Sequence, residues 1–340
     1  MEKKRKKYLG DYTVTQVAAA VGVSAATVSR ILSNKIASDS NAAHKVRTFM
    51  KDKGLSLEKL RKDVRGDIYL VCDIAGDESV LPYSNFPYIY KSLMTQAESA
   101  GYNLIHSQRN AINPTLSSAK SGQIRGVIFH SHPFPLVKSV TSVAINDCLS
   151  TDEMNIVQAD MVAGYIKAFR HLKMIGHDRI AFFFDHDKTK SFFPDYVRFM
   201  PYIYETAGLV WDENLFWGQK FGYGAHQPII SKALSYFMKM KKSPTAIVLH
   251  DDLYAMGFYS EIHMRGMKIP DDISVVGASD APMCKSLPVP LSSIRTCPDA
   301  IARAALSIIA DNIANPGVPA RKVSICPELV VRESIKAKRG

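Results

Sequence analysis

Thr13–Asn34 reads TVTQVAAAVGVSAATVSRILSN, and its punctuation is that of two short helices joined by a tight turn. The Thr13 hydroxyl can accept from the free amides of a first helical turn, and Gln16, three residues on, can reach back to the Thr13 amide in a capping box. Val14, Val17, Ala18 and Val21 then recur at helical spacing and make one apolar face. Gly22 permits a left-handed turn, and Ser24 can cap a second helix running through about Leu32. Two helices so joined are a helix-turn-helix. Val28, Ile31 and Leu32 are expected to face the first helix. Ala25, Ala26, Ser29 and Arg30 are then presented outward near the start of the second, the part that meets base edges in the major groove. Arg30 suits bidentate pairing with guanine, whereas Ala25 and Ala26 offer close approach or contact with a thymine methyl. Asn41–Lys53, with Ala42, Val46, Phe49 and Met50 at helical spacing, supplies a third helix to close the small core.

The same pattern also fits a plain hydrophobic hairpin, and charge separates the two readings. The 340 residues carry 43 Lys+Arg against 32 Asp+Glu, a net +11. The first 66 residues alone hold 15 Lys+Arg and 6 Asp+Glu, so they carry +9 and the rest only +2. A basic module made for a polyanion is joined to a near-neutral body. Hydrophobic content of 46% excludes a disordered chain. Cys72, Cys148, Cys284, Cys297 and Cys326 are odd in number and widely spread, with no Cys-x-x-Cys or His-bearing metal spacing. They read as reduced thiols, and neither a metal nor a cofactor is expected. Lys3–Lys7 followed by the Ala-rich Val17–Val28 imitates a secretory signal, but Asp11, Thr13, Thr15, Gln16, Gly22 and Ser24 interrupt it. No run approaches the ~18 apolar residues of a membrane span, so a cytoplasmic location is expected.

Thr13-Val14, Val17-Ala18, Gly22-Val23-Ser24 and Thr27-Val28-Ser29-Arg30 resemble, without a gap, the opening of the lactose/galactose repressor (LacI/GalR) family of transcription regulators. The resemblance implies that Ala25, Ala26 and Arg30 read the operator while Thr13, Ser24, Thr27, Ser29 and Asn34 lie near phosphates. Phosphate contacts would set affinity and its salt dependence, base contacts the sequence choice. In the family the next segment folds as a hinge helix on DNA, and a leucine from each subunit wedges into the minor groove. Gly54–Gly66 departs from that pattern: Leu57 stands for proline, Glu58 for asparagine, Arg61 for a small residue and Val64 for the leucine. Val64 is a shorter, β-branched wedge, which implies a smaller kink. Lys59, Lys62 and Arg65 keep positive charge toward DNA, and the segment is either such a hinge or a solvated basic linker.

Beyond Gly66, short apolar runs alternate with helical patterns. They are Ile68–Cys72, a helix near Tyr88–Ala100, Leu104–Ser107, a helix near Thr115–Ser121, Gly126–Phe129 and Val143–Ile145. A second set follows: a helix near Val162–Met174, Arg179–Phe184, a helix near Asp195–Ala207, Leu215–Trp217, a helix near Gln227–Met240, Ala246–Leu249, a helix near Leu253–Arg265, and Ile273–Val276. This predicts an all-α helix-turn-helix domain followed by an α/β body of two doubly wound parallel sheets, with a cleft at the carboxyl ends of the strands. Ile175-Gly176-His177, Pro244-Thr245-Ala246-Ile247, Ile269–Gly277 and Glu328–Ser334 extend the resemblance over nearly the whole chain. Its effector domain is of periplasmic-binding-protein-like type. Of these landmarks, Gly176-His177 reads as a turn and Glu328–Ser334 as a structural strand. The expected domains are 1–54 for DNA, 55–66 as linker and 67–340 for effector and dimerisation. The last divides into 67–160 with 291–320, and 161–290 with 321–334.

Pocket positions follow from the resemblance with substitutions. Asp160 and Arg198 stand where the family holds ligand hydroxyls with an acid and a base. Asp251 replaces the asparagine of an Asn-Asp pair with Asp252 retained, and Ser279 replaces the first of two aspartates with Asp280 retained. Phe221, or else Trp217 or Tyr223, would floor the pocket with an aromatic ring; each of these residues also fits an ordinary cap, loop or core role. The long loop Asp73–Pro87 is a ligand lid or a dimer contact. No P-loop, Gly-x-Ser-x-Gly elbow or complete dinucleotide fingerprint occurs, and His130 and His132 lack a third ligand, so an enzyme is not expected. The expectation is a homodimeric repressor on duplex operator DNA, modulated by a small polar, sugar-like effector. The alternative is a DNA-binding or architectural protein with no effector or a non-sugar one.

Overall fold

The structure is a computed structural model that describes residues 12, 14–32, 40–53, 66–72, 86–107, 124–130, 140–145, 153–185, 195–219 and 226–338. Thr13, Asn34, Lys62, Val64, His132, Phe221, Tyr223, the 73–85 loop and the helix expected near Thr115–Ser121 lie outside them. The fold consists of two compact units.

The amino-terminal unit is built from α1 (Val14–Val21), α2 (Ala25–Leu32) and α3 (Asn41–Asp52). Gly22 takes φ +71° just past α1, and the Val23 amide donates back to the Ala18 carbonyl at 3.0 Å, which ends the helix in a Schellman motif. The chain turns by 106° between α1 and α2. Ser24 Oγ then accepts from the Thr27 amide at 3.0 Å and caps α2, as its sequence position predicts. Ser40 does the same for α3 through the Ala43 amide at 3.2 Å. Val17, Ala18, Val28, Ile31, Ala43, Val46 and Met50 form the buried core. Ala43 takes the central place expected of Ala42, and Phe49 is only partly covered, edge-on to Tyr12.

The strands of the other described residues form two six-stranded sheets. The first contains β1 (Gly66–Cys72), β2 (Tyr102–Ser107), β3 (Ile124–His130), β4 (Thr141–Ile145), β5 (Asn155–Ala159) and β11 (Lys322–Ile325), in the order β11-β5-β4-β3-β1-β2. The second contains β6 (Ile180–Asp185), β7 (Phe216–Gln219), β8 (Ala246–Leu249), β9 (Ser274–Ser279), β10 (Ser292–Arg295) and β12 (Glu328–Val330), in the order β12-β10-β9-β8-β6-β7. Central strands are apolar on both faces because helices cover both sides. Ile180, Phe182 and Phe184 of β6 pack toward α5 (Met161–Met174) and α7 (Met200–Thr206). Ala181 and Phe183 pack toward α8 (His226–Met238) and α9 (Ala255–Met264). At the sheet edge, β11 alternates exposed and half-covered residues. In the first sheet α4 (Phe86–Ser99) buries the stripe Ile89, Leu93 and Ala97, and α10 (Pro298–Ala314) packs on β3, β4 and β5.

Local differences from the sequence reading have local causes. The helix expected over Asp195–Ala207 is broken into α6 (Asp195–Arg198) and α7, because Pro201 in the first turn of α7 cannot donate to a continuing helix. A 3-10 turn at Asp252–Tyr254 precedes α9. The chain passes between sheets at Asp160, at Thr296-Cys297 and at Cys326-Pro327. β10 therefore belongs to the second sheet and β11 to the first, a few residues past the expected divisions at 290/291 and 320/321. Antiparallel β12 needs β10 as partner, and β11 pairs parallel with β5.

Candidate nucleic-acid interface and ligand cleft

Ala26, Ser29 and Arg30 lie at i, i+3 and i+4 on α2, and all three are exposed, so they share one outward face. Ser24 is exposed as well, with its hydroxyl 2.8 Å from that of Thr27 in the cap. Ala25 and Thr27 are half-buried, and Ala25 packs against the core.

The second site lies at the carboxyl ends of β8 and β9, which pair in parallel. Asp251 Oδ1 accepts from the Leu253 amide at 2.9 Å and caps the 3-10 turn. Burial pushes its carboxyl up to about 6. Asp252 lies beneath, wholly buried, and accepts from the Ala281 amide at 2.7 Å and from Ser293 Oγ at 2.7 Å. Burial, and then the charge of Asp251, push it up to about 8. Ser279 and Asp280 follow at the end of β9 with φ of +112° and +55°, conformations that non-glycine residues avoid. The surrounding bonds hold them there. The Asp280 amide donates to Ser293 Oγ at 3.0 Å, and its carboxylate is clamped by Arg295 at 2.8 Å and Arg332 at 2.6 Å. Tyr88, from α4, lies within the field of this cluster. Burial raises its phenol pKa, and the negative charge of Asp280 adds to that.

The other expected site residues have the following local settings. Asp160 is the N-cap of α5, accepting from the Ala163 amide at 2.9 Å. Arg198 ends the short α6 and is exposed. Trp217 packs against Tyr236 and Phe237, with centroids at 5.5 and 6.3 Å, and is a core aromatic. His177 is buried, bonded to Thr245 Oγ1 at 2.8 Å and to the Lys336 carbonyl at 2.9 Å, with its pKa lowered by burial; it ties a turn to the carboxyl-terminal segment. Phe86 sits edge-on to His130 at 5.1 Å. Tyr88, Arg295 and Arg332 escape a reading along the chain. Arg332 is embedded in a strand phrase, and its partner Asp280 lies 52 residues earlier.

Residues 169–335 match the periplasmic binding protein-like domain family. The chain is 23% identical to the HTH-type transcriptional regulator DegA of Bacillus subtilis (strain 168), over 95% of this chain and 97% of that one. It is also 23% identical to the HTH-type transcriptional repressor CytR of Escherichia coli (strain K12), over 98% and 99%. Among solved structures, a CelR–cellobiose complex superposes with a TM-score of 0.65 at 19% identity, covering 95% of this chain and 99% of that one. A LacI family regulator from Enterococcus faecium with bound ribose gives 0.62 at 15% identity, covering 80% and 100%. With a capped helix-turn-helix ahead of two mostly parallel sheets, the chain is similar over nearly its whole length to HTH-type transcriptional regulators, and its fold is that of LacI family regulators of known structure.

Proposed function

We propose that this protein is a homodimeric, cytoplasmic repressor that binds a pseudo-palindromic operator through α2, its affinity set by a small polar, sugar-like effector in the cleft. The observation that carries this reading is the exposed Ala26, Ser29 and Arg30 face on a helix capped by Ser24 within the +9 amino-terminal fifth of the chain. One helix-turn-helix reads about half a site, so a second copy supplies the specificity a genome demands. In this reading Thr13, Ser24, Thr27, Ser29 and Asn34 meet phosphates, Lys62 and Val64 act from the linker, and Asp160, Arg198, Phe221, Asp251 and Ser279 meet the effector.

Selection from a random duplex library, followed by footprinting, tests it. The wild-type chain is expected to enrich a two-fold symmetric site. Arg30→Ala is expected to lose about 1–3 kcal/mol of discrimination at one base position while nonspecific, salt-sensitive binding persists. Equal loss on every sequence would remove Arg30 from base reading. Asp280 favours a second reading: its carboxylate is already committed to Arg295 and Arg332, which suits a non-sugar ligand or none.

A further inference from the structure

Two of the segments that carry the chain between the sheets each hold a cysteine: Cys297 between β10 and α10, and Cys326 between β11 and β12. β10 and β12 run antiparallel, with Ser293 opposite Val330 and Arg295 opposite Glu328. Cys297 comes two residues after β10 ends and Cys326 two residues before β12 begins, so the pairing brings the two passages side by side. A disulfide spans roughly 4.4–6.8 Å between Cα atoms, so it joins residues held next to one another. The two residues are in contact, since the Cys297 thiol comes within 3.9 Å of the Cys326 carbonyl oxygen. Both thiols are free. Cys297 adopts the left-handed conformation at φ 57°, ψ 60°, which is strained for a residue with a Cβ.

Their surroundings differ in a useful way. Cys326 is exposed, and its sulfur accepts a hydrogen bond from Lys167 Nζ at 3.1 Å, an ammonium that also holds the Pro327 carbonyl at 2.7 Å. Cys297 is half-covered, and burial pushes its thiol up. The remaining passage between the sheets is bound to the same spot: the Asp160 amide donates to the Ile325 carbonyl at 2.8 Å. A Cβ on Gly164 would come within 2.8 Å of Ile294 and 3.2 Å of Pro327, so α5 lies directly against these passages.

We propose that Cys297 and Cys326 are a redox modification site, forming a reversible disulfide that staples two of the inter-sheet passages together. Peroxide is the oxidant. The exposed Cys326 sulfur attacks one peroxide oxygen, the O–O bond breaks, and a sulfenic acid and water result. The Cys297 sulfur then attacks Cys326, the S–O bond breaks and a second water leaves. In total two thiols give up two electrons and two protons, and one peroxide becomes two waters. A dithiol reductant reverses the bond by exchange. A bond at this place restricts any motion of one sheet against the other, because such motion must flex these passages.

The test is treatment of the full chain with hydrogen peroxide, alkylation of the remaining thiols, and peptide mapping without reductant. The expected result is a linked pair of peptides carrying Cys297 and Cys326, lighter by two hydrogen atoms and released by dithiothreitol. The oxidised chain should melt a few degrees higher and exchange its amides more slowly across both passages. Cys326→Ser, at an exposed position, should leave the reduced chain folded while abolishing the link and both shifts. Recovery of Cys326 as a sulfinic acid with Cys297 still alkylatable, or links only among other cysteines, would overturn the proposal. The bond does not rest on the effector reading: peptide mapping interrogates the thiols, and DNA selection interrogates the regulator.

Discussion

Gly277 is a glycine because Asp252 occupies the space a side chain would need. A Cβ there would stand 2.0 Å from Asp252 Oδ1 and 2.9 Å from Leu291 Cδ2, and a buried carboxylate bonded to Ala281 and Ser293 has nowhere to move. Gly277→Ala is expected to cost about 1–3 kcal/mol, read as a lower urea midpoint at unchanged slope. Asp252 itself imposes a pH dependence. Its pKa in the folded chain, about 8, is raised above the ordinary 3.8, so the folded state prefers the protonated acid. That contribution is complete below pH 3.8 and is lost as pH rises through about 8, when the buried group must ionise. The melting temperature should therefore fall between those limits, and Asp252→Asn should flatten the fall. An unchanged slope in the variant would assign the dependence to other groups.

At the scale of elements, the amino-terminal unit was legible because its signals are local. Gly22 and Ser24 each act within a few residues, and the structure places both where their chemistry predicts; Ser40 caps α3 by the same local rule, which the sequence reading did not use. Ser24→Ala should remove one satisfied amide and destabilise α2 by about 0.5–2 kcal/mol. Faster amide exchange in α2, with the sheets unaffected, would register it. The sheets were legible for a related reason: runs such as Ala181–Phe184, buried on both faces, are too apolar for an exposed surface. What lay beyond reach was pairing at a distance. β10, α10 and β11 take their places from partners in another part of the chain, so the interleaving near Cys297 and Cys326 carries no local mark. The same holds for the cleft. Asp251 and Ser279 are brought to adjacent strand ends, but the clamp on Asp280 depends on Arg295 and Arg332, which no spacing ties to it. Phe221, Tyr223 and the linker residues Lys62 and Val64 fall outside the described residues, so their roles rest on the resemblance.

For the whole molecule, control of DNA binding by a ligand requires the ligand to favour one arrangement of the body over another; equal affinity for both shifts nothing, however tight the binding. A ligand at 100 times its Kd adds about 2.7 kcal/mol to the stability of the state it binds. For a domain of this size that corresponds to a rise of roughly 5–10 °C in Tm, ample for a thermal-shift screen of sugars, sugar acids and nucleobases. A compound that raises Tm and also changes the salt-corrected affinity for the selected DNA site is the expected result. Stabilisation with no change at the DNA would mean a bound ligand without differential affinity, and the effector part of the proposed function would then fall while DNA recognition by α2 stood. No stabilisation across the three classes would favour the regulator without such an effector, for which the occupied Asp280 clamp already argues. Arg198→Ala separates the modules further. On an exposed, four-residue helix, it should blunt the thermal shift of a true ligand while leaving the affinity for DNA at its wild-type value. A variant that loses DNA binding as well would show that Arg198 acts on the body as a whole rather than on the ligand.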